Sequence, residues 1–322
     1  MIKNDIPKVA IITRTKDRPI FLERAIKSVL KQTFKDYVHV ILNDGGDRKK
    51  VEAILKKYPA KNRVVIHNVN SLGGTVALNQ GIRAVNTKYV SILDDDDSWE
   101  KDRLSLAVDF MEKNNSFGTV SKMNKIEEII KDDSSVVEVS NNLWRPDITS
   151  INLYEQCLEN NLSNGCFIYL RSVYDELGGY DEALEVAEDW EFGIRFLLKY
   201  DVDFIDVDGA TVNYHLRPEA VGATGNTVFA GIKKHNRDIN KILNKYLRKD
   251  LINASLGLGY IMSDLKFNHK KELLMTDINN NNLVRLEGHV NGAVEEIKKE
   301  LSRIDERKVS SKIKRAIKDI IK

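Results

Sequence analysis

Four consecutive aspartates, Asp94 to Asp97, follow the apolar segment Tyr89-Val-Ser-Ile-Leu93 and lead into Ser98-Trp99. Adjacent carboxylates repel one another and lose hydration where the chain packs around them, so the run asks for a compensating charge. Oxygen-only ligands suit a hard divalent cation such as Mg2+ or Mn2+, which keeps open positions for substrate phosphates. Taken alone, an acidic run is more often a solvated loop. The glycine and distant bidentate glutamate of an EF-hand are not at loop spacing here. Cys157 and Cys166 match no metal spacing and read as small buried hydrophobes.

The elements that must position these aspartates come from periodicity. Val9 to Thr13 is a β-rich apolar run, and Phe21, Leu22, Ala25, Ile26, Val29 and Leu30 form a helical stripe. Strands follow at Tyr37–Leu42, Val64–Ile66 and Tyr89–Leu93, with helices at Lys49–Tyr58 and Thr75–Ala84 between them. Strands alternating with short helices imply parallel pairing through right-handed crossovers, hence a nucleotide-binding α/β half-domain. Ligands in such sheets sit beyond the strand C-termini. Thr13-Arg14-Thr15, Asn43-Asp44-Gly45-Gly46 and Asp94 to Asp97 should therefore face one crevice. Neither G-x-G-x-x-G nor G-x-x-x-x-G-K-[ST] follows the first strand, which argues against a dinucleotide fold or a P-loop. A cation on the aspartates would supply the missing counter-charge for a diphosphate.

Beyond this half the pattern weakens. A helix at Asp102–Asn114 precedes mixed polar segments and a strand at Ser135–Val139; then come a strand at Cys166–Leu170, a helix at Ser172–Leu177 and the Gly178-Gly179 break. A helix from Ala187 to Lys199 and strands at Phe204–Val207 and Ala210–His215 follow. Strand signals fade after Gly225, so residues 1–225 are read as the catalytic domain and 226–322 as a helical extension. The 322 residues suffice for one large domain and an appendage. Lys+Arg 50 against Asp+Glu 48 leaves a net charge of +2, which gives no global field for nucleic acid. The start shows no signal-peptide core and no stretch reaches the ~18 apolar residues of a membrane span, so a cytoplasmic location is expected.

Taken in order, several segments resemble the family 2 glycosyltransferases of GT-A fold over roughly Lys8 to Pro218. They are Val9-Ala-Ile-Ile-Thr-Arg-Thr-Lys-Asp-Arg-Pro19, Ser28-Val-Leu-Lys-Gln-Thr33, Asn43-Asp44-Gly45, Gly73 through Ala77 with Asn79 and Gly81, Leu93-Asp-Asp-Asp-Asp-Ser-Trp99, Gly178-Gly-Tyr-Asp-Glu182 and Glu188-Asp-Trp-Glu191. The resemblance implies an α/β fold: a Rossmann-like, mostly parallel sheet with helices on both faces, followed by the helical extension. It implies that Asp94 and Asp96 hold Mn2+ or Mg2+ and, through it, the donor diphosphate, with Asp95 and Asp97 on ribose or an outer water. Thr13, Arg14, Thr15, Asp44, Gly73, Asn79 and Arg217 would line the nucleotide-sugar site, Asp44 accepting from the ring N–H of a uracil-like base. Asp17 stands where the family often has Asn. His215 would be a further metal ligand.

By the same resemblance Asp189 is the base that takes the acceptor proton, Glu188 binds acceptor hydroxyls, and Trp190 is either a sugar-stacking platform or core. A helix N-terminus at Asp189 would lower its pKa and keep it ionised; a plain capping role is the alternative. With no residue placed as a nucleophile, the family's single displacement inverts the anomeric centre. The implied function is transfer from a nucleoside-diphosphate sugar, uridine diphosphate being the expected carrier, to a saccharide or lipid-linked acceptor in surface polysaccharide synthesis. A nucleotidyltransferase would want a basic glycine-rich loop after the first strand; a non-catalytic sugar- or protein-binding module would not need Asp94, Asp96 and Asp189.

The basic tail, Arg307 to Lys322, sets Val309, Ile313, Ala316, Ile317 and Ile320 on one helical face. It suits peripheral contact with an anionic membrane carrying lipid-linked acceptors. Leu283 to Ile304 suits a helical hairpin or the seam of a homo-oligomer, against a solvated helix packed on the catalytic domain.

Overall fold

The computed structural model describes residues 6–131, 135–207, 211–226, 231–253 and 257–305. The chain opens β1 (Val9–Thr15), α1 (Pro19–Leu30), β2 (Tyr37–Asp44), α2 (Arg48–Lys57), β3 (Arg63–Asn68), α3 (Gly74–Arg83) and β4 (Tyr89–Ile92), the alternation expected. β1 and β2 are almost wholly buried, as strands covered on both faces require. Pro19 suits the first helical position, where its missing N–H costs no hydrogen bond. Asp47 caps α2 by accepting from the N–H groups of Lys49 and Lys50.

After the acidic loop come β5 (Ser98–Trp99), α4 (Arg103–Asn114), β6 (Gly118–Ser121), β7 (Met123–Ile130), β8 (Val136–Trp144), α5 (Leu153–Leu158), β9 (Phe167–Leu170), α6 (Arg171–Leu177), α7 (Glu188–Leu197), β10 (Asp203–Ile205) and β11 (Val212–Leu216). The large sheet has the order β10-β6-β9-β4-β1-β2-β3. It is parallel except at β9, which runs antiparallel between β4 and β6. A small sheet, β5-β11-β7-β8, stands beside it. Its β7–β8 register slips between Glu127 and Glu128, a bulge of the kind found beside functional sites.

An aromatic cluster seats α7 on the large sheet. Tyr180 stacks on Phe192 with centroids 4.5 Å apart, and Tyr169 and Phe196 lie 5.2 and 6.2 Å from the same ring. This packing fixes the start of α7, where Glu188 and Asp189 stand.

Two helices follow, α8 (Ile232–Ile252) and α9 (Leu258–Asp305). One compact unit spans Met1–Met262 and another Ser263–Lys322. The composition change at Gly225 lies inside the first, because Asp238, Ile242 and Tyr246 of α8 are buried there. α9 is a single helix through Leu283 to Ile304, without a hairpin turn. Arg307 to Lys322 lies outside the described residues. Among the described residues no helix is long and apolar enough to cross a membrane.

Candidate active site

An open cavity of about 830 Å³ lies at the C-terminal ends of β1, β2 and β4. Arg14 and Thr15, Asp44, and Asp94 to Asp97 all line it, so each of the three strand-end sets sends residues into one crevice, without Thr13, Asn43, Gly45 and Gly46. Glu188 and Asp189 enter from the start of α7, and Trp144, Tyr214, Lys234 and His235 complete other parts of the wall.

Four arginines meet the acidic loop. Arg14 bridges two carboxylates, its Nε 3.2 Å from Asp94 Oδ1 and its Nη2 2.6 Å from Glu188 Oε1. Arg18 reaches Asp95 at 3.2 Å and Asp96 at 3.3 Å. Arg217 donates to Asp96 Oδ2 at 2.5 Å, with Asn226 on the same oxygen at 3.2 Å, and Arg24 donates to the Asp96 carbonyl. Part of the compensation read as a cation's task is thus met by guanidiniums. The carboxyls still outnumber them: burial first, then Asp96, pushes Asp95 up to about 7 and Asp97 well above the usual range.

Glu128 of β7 ties this cluster together. Its carboxylate accepts from Arg24 at 2.8 Å, from Arg217 at 2.6 Å and from His215 Nδ1 at 3.0 Å. Burial alone would raise its pKa, but the hydrogen bonds from His215 and Arg24 outweigh it and hold the group at about 2. Both ring nitrogens of His215, expected as a further metal ligand, have protein partners here. Its Nδ1 faces Glu128, its Nε2 lies 3.0 Å from Ser98 Oγ, and its link to the aspartates is a backbone N–H donated to Asp97 at 3.0 Å. Arg217 is likewise committed: it is 1% exposed and held between Asp96 and Glu128, not on the cavity wall. Among the described residues no group of three or more His, Cys, Asp or Glu forms a ready metal cage.

Asp189 sits in the first turn of α7, after Ala187 at the cap position, and its side chain accepts from a first-turn backbone N–H. The expected lowering of its pKa does not hold. Burial and Glu188 push the carboxyl up to about 7, against the Trp190 N–H that donates to Asp189 Oδ1 at 2.8 Å. Desolvation and like charge outweigh the helix end here.

Other expected site residues have protein partners of their own. Asp44 lines the cavity, but its carboxylate accepts from Asn68 and the Leu72 N–H on one oxygen and from Ser71 and the Gly73 N–H on the other. These four donors occupy the roughly four acceptor positions of a carboxylate. Gly73 serves this turn with φ +100°, a backbone that favours glycine. Thr13 is buried against His39 at 3.0 Å. Asn79 is buried and donates to the Tyr180 carbonyl at 2.9 Å. Trp190 is core, its Nε1 donating to the Gln156 carbonyl at 2.5 Å. Asp17 takes φ +56°, a conformation Asn and Asp tolerate, and accepts from the Asp47 N–H at 2.9 Å. Sequence reasoning missed Arg18, Arg24, Glu128 and Asn226. The only local signals were a cation, Arg24, amid the apolar stripe of α1 and an acid, Glu128, beside the apolar Ile129-Ile130.

A mostly parallel central sheet flanked by helices is the fold of GT-A glycosyltransferases. The chain belongs to glycosyl transferase family 2, whose family model matches residues 10–178. It is 26% identical over 211 residues to an uncharacterised glycosyltransferase of Methanocaldococcus jannaschii, covering 63% of this chain and 69% of that protein. It is 24% identical to a putative colanic acid biosynthesis glycosyl transferase of Escherichia coli, covering 76% of this chain and 87% of that one. Some relatives are much longer: an uncharacterised glycosyltransferase of Rickettsia conorii, 34% identical over 38% of this chain, is covered over 20% of its length. Among solved structures, S. aureus TarS in complex with UDP aligns at TM-score 0.52 and 19% identity over 66% of this chain and 61% of its own. A mannosyltransferase from Pyrobaculum calidifontis in complex with GDP-Man and Mn2+ aligns at 0.54 and 14% identity over 76% and 65%. At these identities the solved structures bear on the fold.

Proposed function

We propose that the protein is an inverting glycosyltransferase that moves a sugar from a nucleoside-diphosphate donor, with uridine diphosphate as carrier, to a hydroxyl of a saccharide or lipid-linked saccharide in surface polysaccharide synthesis. The observation that carries the reading is one cavity holding both the Asp94–Asp97 loop and an Asp189 carboxyl at about 7. Its volume falls within the ~300–1,000 Å³ usual for small-molecule sites. The named relative in colanic acid synthesis and the UDP and GDP-Man complexes of the structural neighbours support the substrate class.

In this reading ionised Asp189 accepts the proton of the acceptor hydroxyl as its oxygen bonds to the anomeric carbon. The bond from that carbon to the diphosphate oxygen breaks, the electron pair leaves with the nucleoside diphosphate, and the centre inverts. A base is most effective with a pKa near the working pH, which the environment of Asp189 provides. Arg14, 22% exposed and tied to both Asp94 and Glu188, can turn onto the diphosphate. Glu188 faces the acceptor side. The all-oxygen donor set, with carboxyls in excess of guanidiniums, fits a hard cation. Asp94 and Asp96 would hold it, Mn2+ or Mg2+, and it would supply positive charge to the leaving diphosphate. Membrane contact through Arg307 to Lys322, on the inner face of a cell membrane, and self-association through Leu283 to Ile304 belong to the proposal with their sequence patterns as support.

The test is Asp189→Asn. Transfer should fall about 10²–10⁴-fold, the usual contribution of a positioned base, while the donor KM stays within about twofold. Undiminished transfer would remove Asp189 from the role.

A further inference from the structure

The loop that delivers Glu188 and Asp189 is gripped from two sides. On one, Thr75 of α3 donates to the Leu184 carbonyl at 2.6 Å and Asn79 donates to the Tyr180 carbonyl at 2.9 Å. On the other stands α8, outside the residues matched by the family model. Its Asp238, Lys241 and Lys245 recur at three- and four-residue spacing, so they share one face. Lys245 pairs with Asp181 at 2.8 Å and Glu191 at 3.0 Å, on either side of the acidic pair, and Lys241 donates to the Ala183 carbonyl at 2.8 Å.

Asp238 is the centre of this grip. Its side chain is 0% exposed, and Oδ2 accepts from the backbone N–H of both Glu185 and Val186, at 2.7 and 3.2 Å. Lys241 and Arg237 each lie 2.9 Å from the other oxygen. A helix packing only through apolar contact has no need of a buried carboxylate, which is costly unless paired and hydrogen-bonded. The next residue, Ala187, has φ +59°. A non-glycine residue persists in that region only where its surroundings over-determine it.

The geometry points to Asp238 as a positioning residue for glycosyl transfer: by holding Glu185 and Val186 it keeps Ala187 left-handed and sets where Asp189 meets the cavity. The inference rests on Asp189 being the base. α8 is thereby part of the working catalytic unit, and a misplacement of about 1 Å at a reacting group can cost about 10²-fold in rate.

The test compares Asp238→Ala and Asp238→Asn in the full chain. In the alanine variant kcat should fall about ten- to a hundredfold with donor KM within about twofold. The asparagine, whose single carbonyl oxygen can still receive both N–H groups, should recover most of that loss. Amide hydrogen exchange at Glu185 and Val186 should quicken in the alanine variant while the β1 and β4 amides stay protected. That readout needs no activity, so it separates a failed clamp from a failed reading of the reaction. Should the alanine variant not fold, Lys245→Ala, at a half-exposed site, should show a smaller kcat loss of the same kind. Unchanged kcat and unchanged exchange at Glu185 and Val186 in folded variants, or equal kcat losses in alanine and asparagine, would overturn the inference.

Discussion

At the residue scale the protein is governed by how charge is held in a cavity partly closed to water. Asp189 keeps a proton up to about pH 7 because burial and Glu188 oppose its ionisation more than Arg14 and the Trp190 N–H support it. Transfer should therefore rise through about pH 7 as the base forms, with the limb absent in Asp189→Asn; a flat profile from pH 6 to 8 would contradict the assignment. The same shift has a stability sign. An aspartate ionises near 3.9 when unfolded, so the folded state retains the proton longer and this group lowers stability increasingly from about pH 4 to 7. Asp189→Asn should accordingly raise Tm, and by more at pH 8 than at pH 5. Arg217 is the opposite case. Its replacement by alanine removes the buried guanidinium that Glu128 and Asp96 share, leaving Glu128 to Arg24 and His215 and Asp96 to Arg18 and Asn226, and should cost up to about 3–5 kcal/mol in denaturant unfolding. The acidic run could be placed from sequence because it follows a strand. Its counter-charges could not, since Arg18, Arg24, Glu128 and Arg217 come from distant stretches with no shared period. Asp44 was legible as an acceptor, but the donors that fill it come from the end of β3 and the turn after it, whose path is a tertiary fact.

At the element scale, continuous apolar runs made β1, β2 and β4 readable, and helical stripes made α1 to α3 readable. β6 and β7 were not, because only Lys122 separates them and β7 alternates with polar residues. Nor does chain order reveal that β9 inserts antiparallel between β4 and β6. Gly259, at the start of α9, shows how closely the helices that follow are packed. A Cβ there would lie 2.0 Å from the Leu247 backbone nitrogen of α8, which no side-chain rotation relieves. Gly259→Ala should destabilise the protein by about 1–3 kcal/mol or more, read as a lower midpoint in urea. A wild-type midpoint would mean that the two helices are not in that contact.

At the scale of the whole molecule, the compact unit carrying the cavity reaches Met262 and so includes α8. A chain ending at Met262 should melt cooperatively and keep transfer activity on a soluble acceptor. A chain ending at Asn226 should lose activity with the grip of Asp238, Lys241 and Lys245. Equal activity of the two would separate α8 from catalysis. The most direct test of the central claim incubates the full chain with a panel of nucleoside-diphosphate sugars, with Mn2+ or Mg2+ and candidate saccharide acceptors, and measures free nucleoside diphosphate. Release from at least one donor is predicted, falling about 10²-fold or more in a folded Asp96→Ala variant. No release from any donor, or release undiminished in Asp96→Ala, would contradict the account.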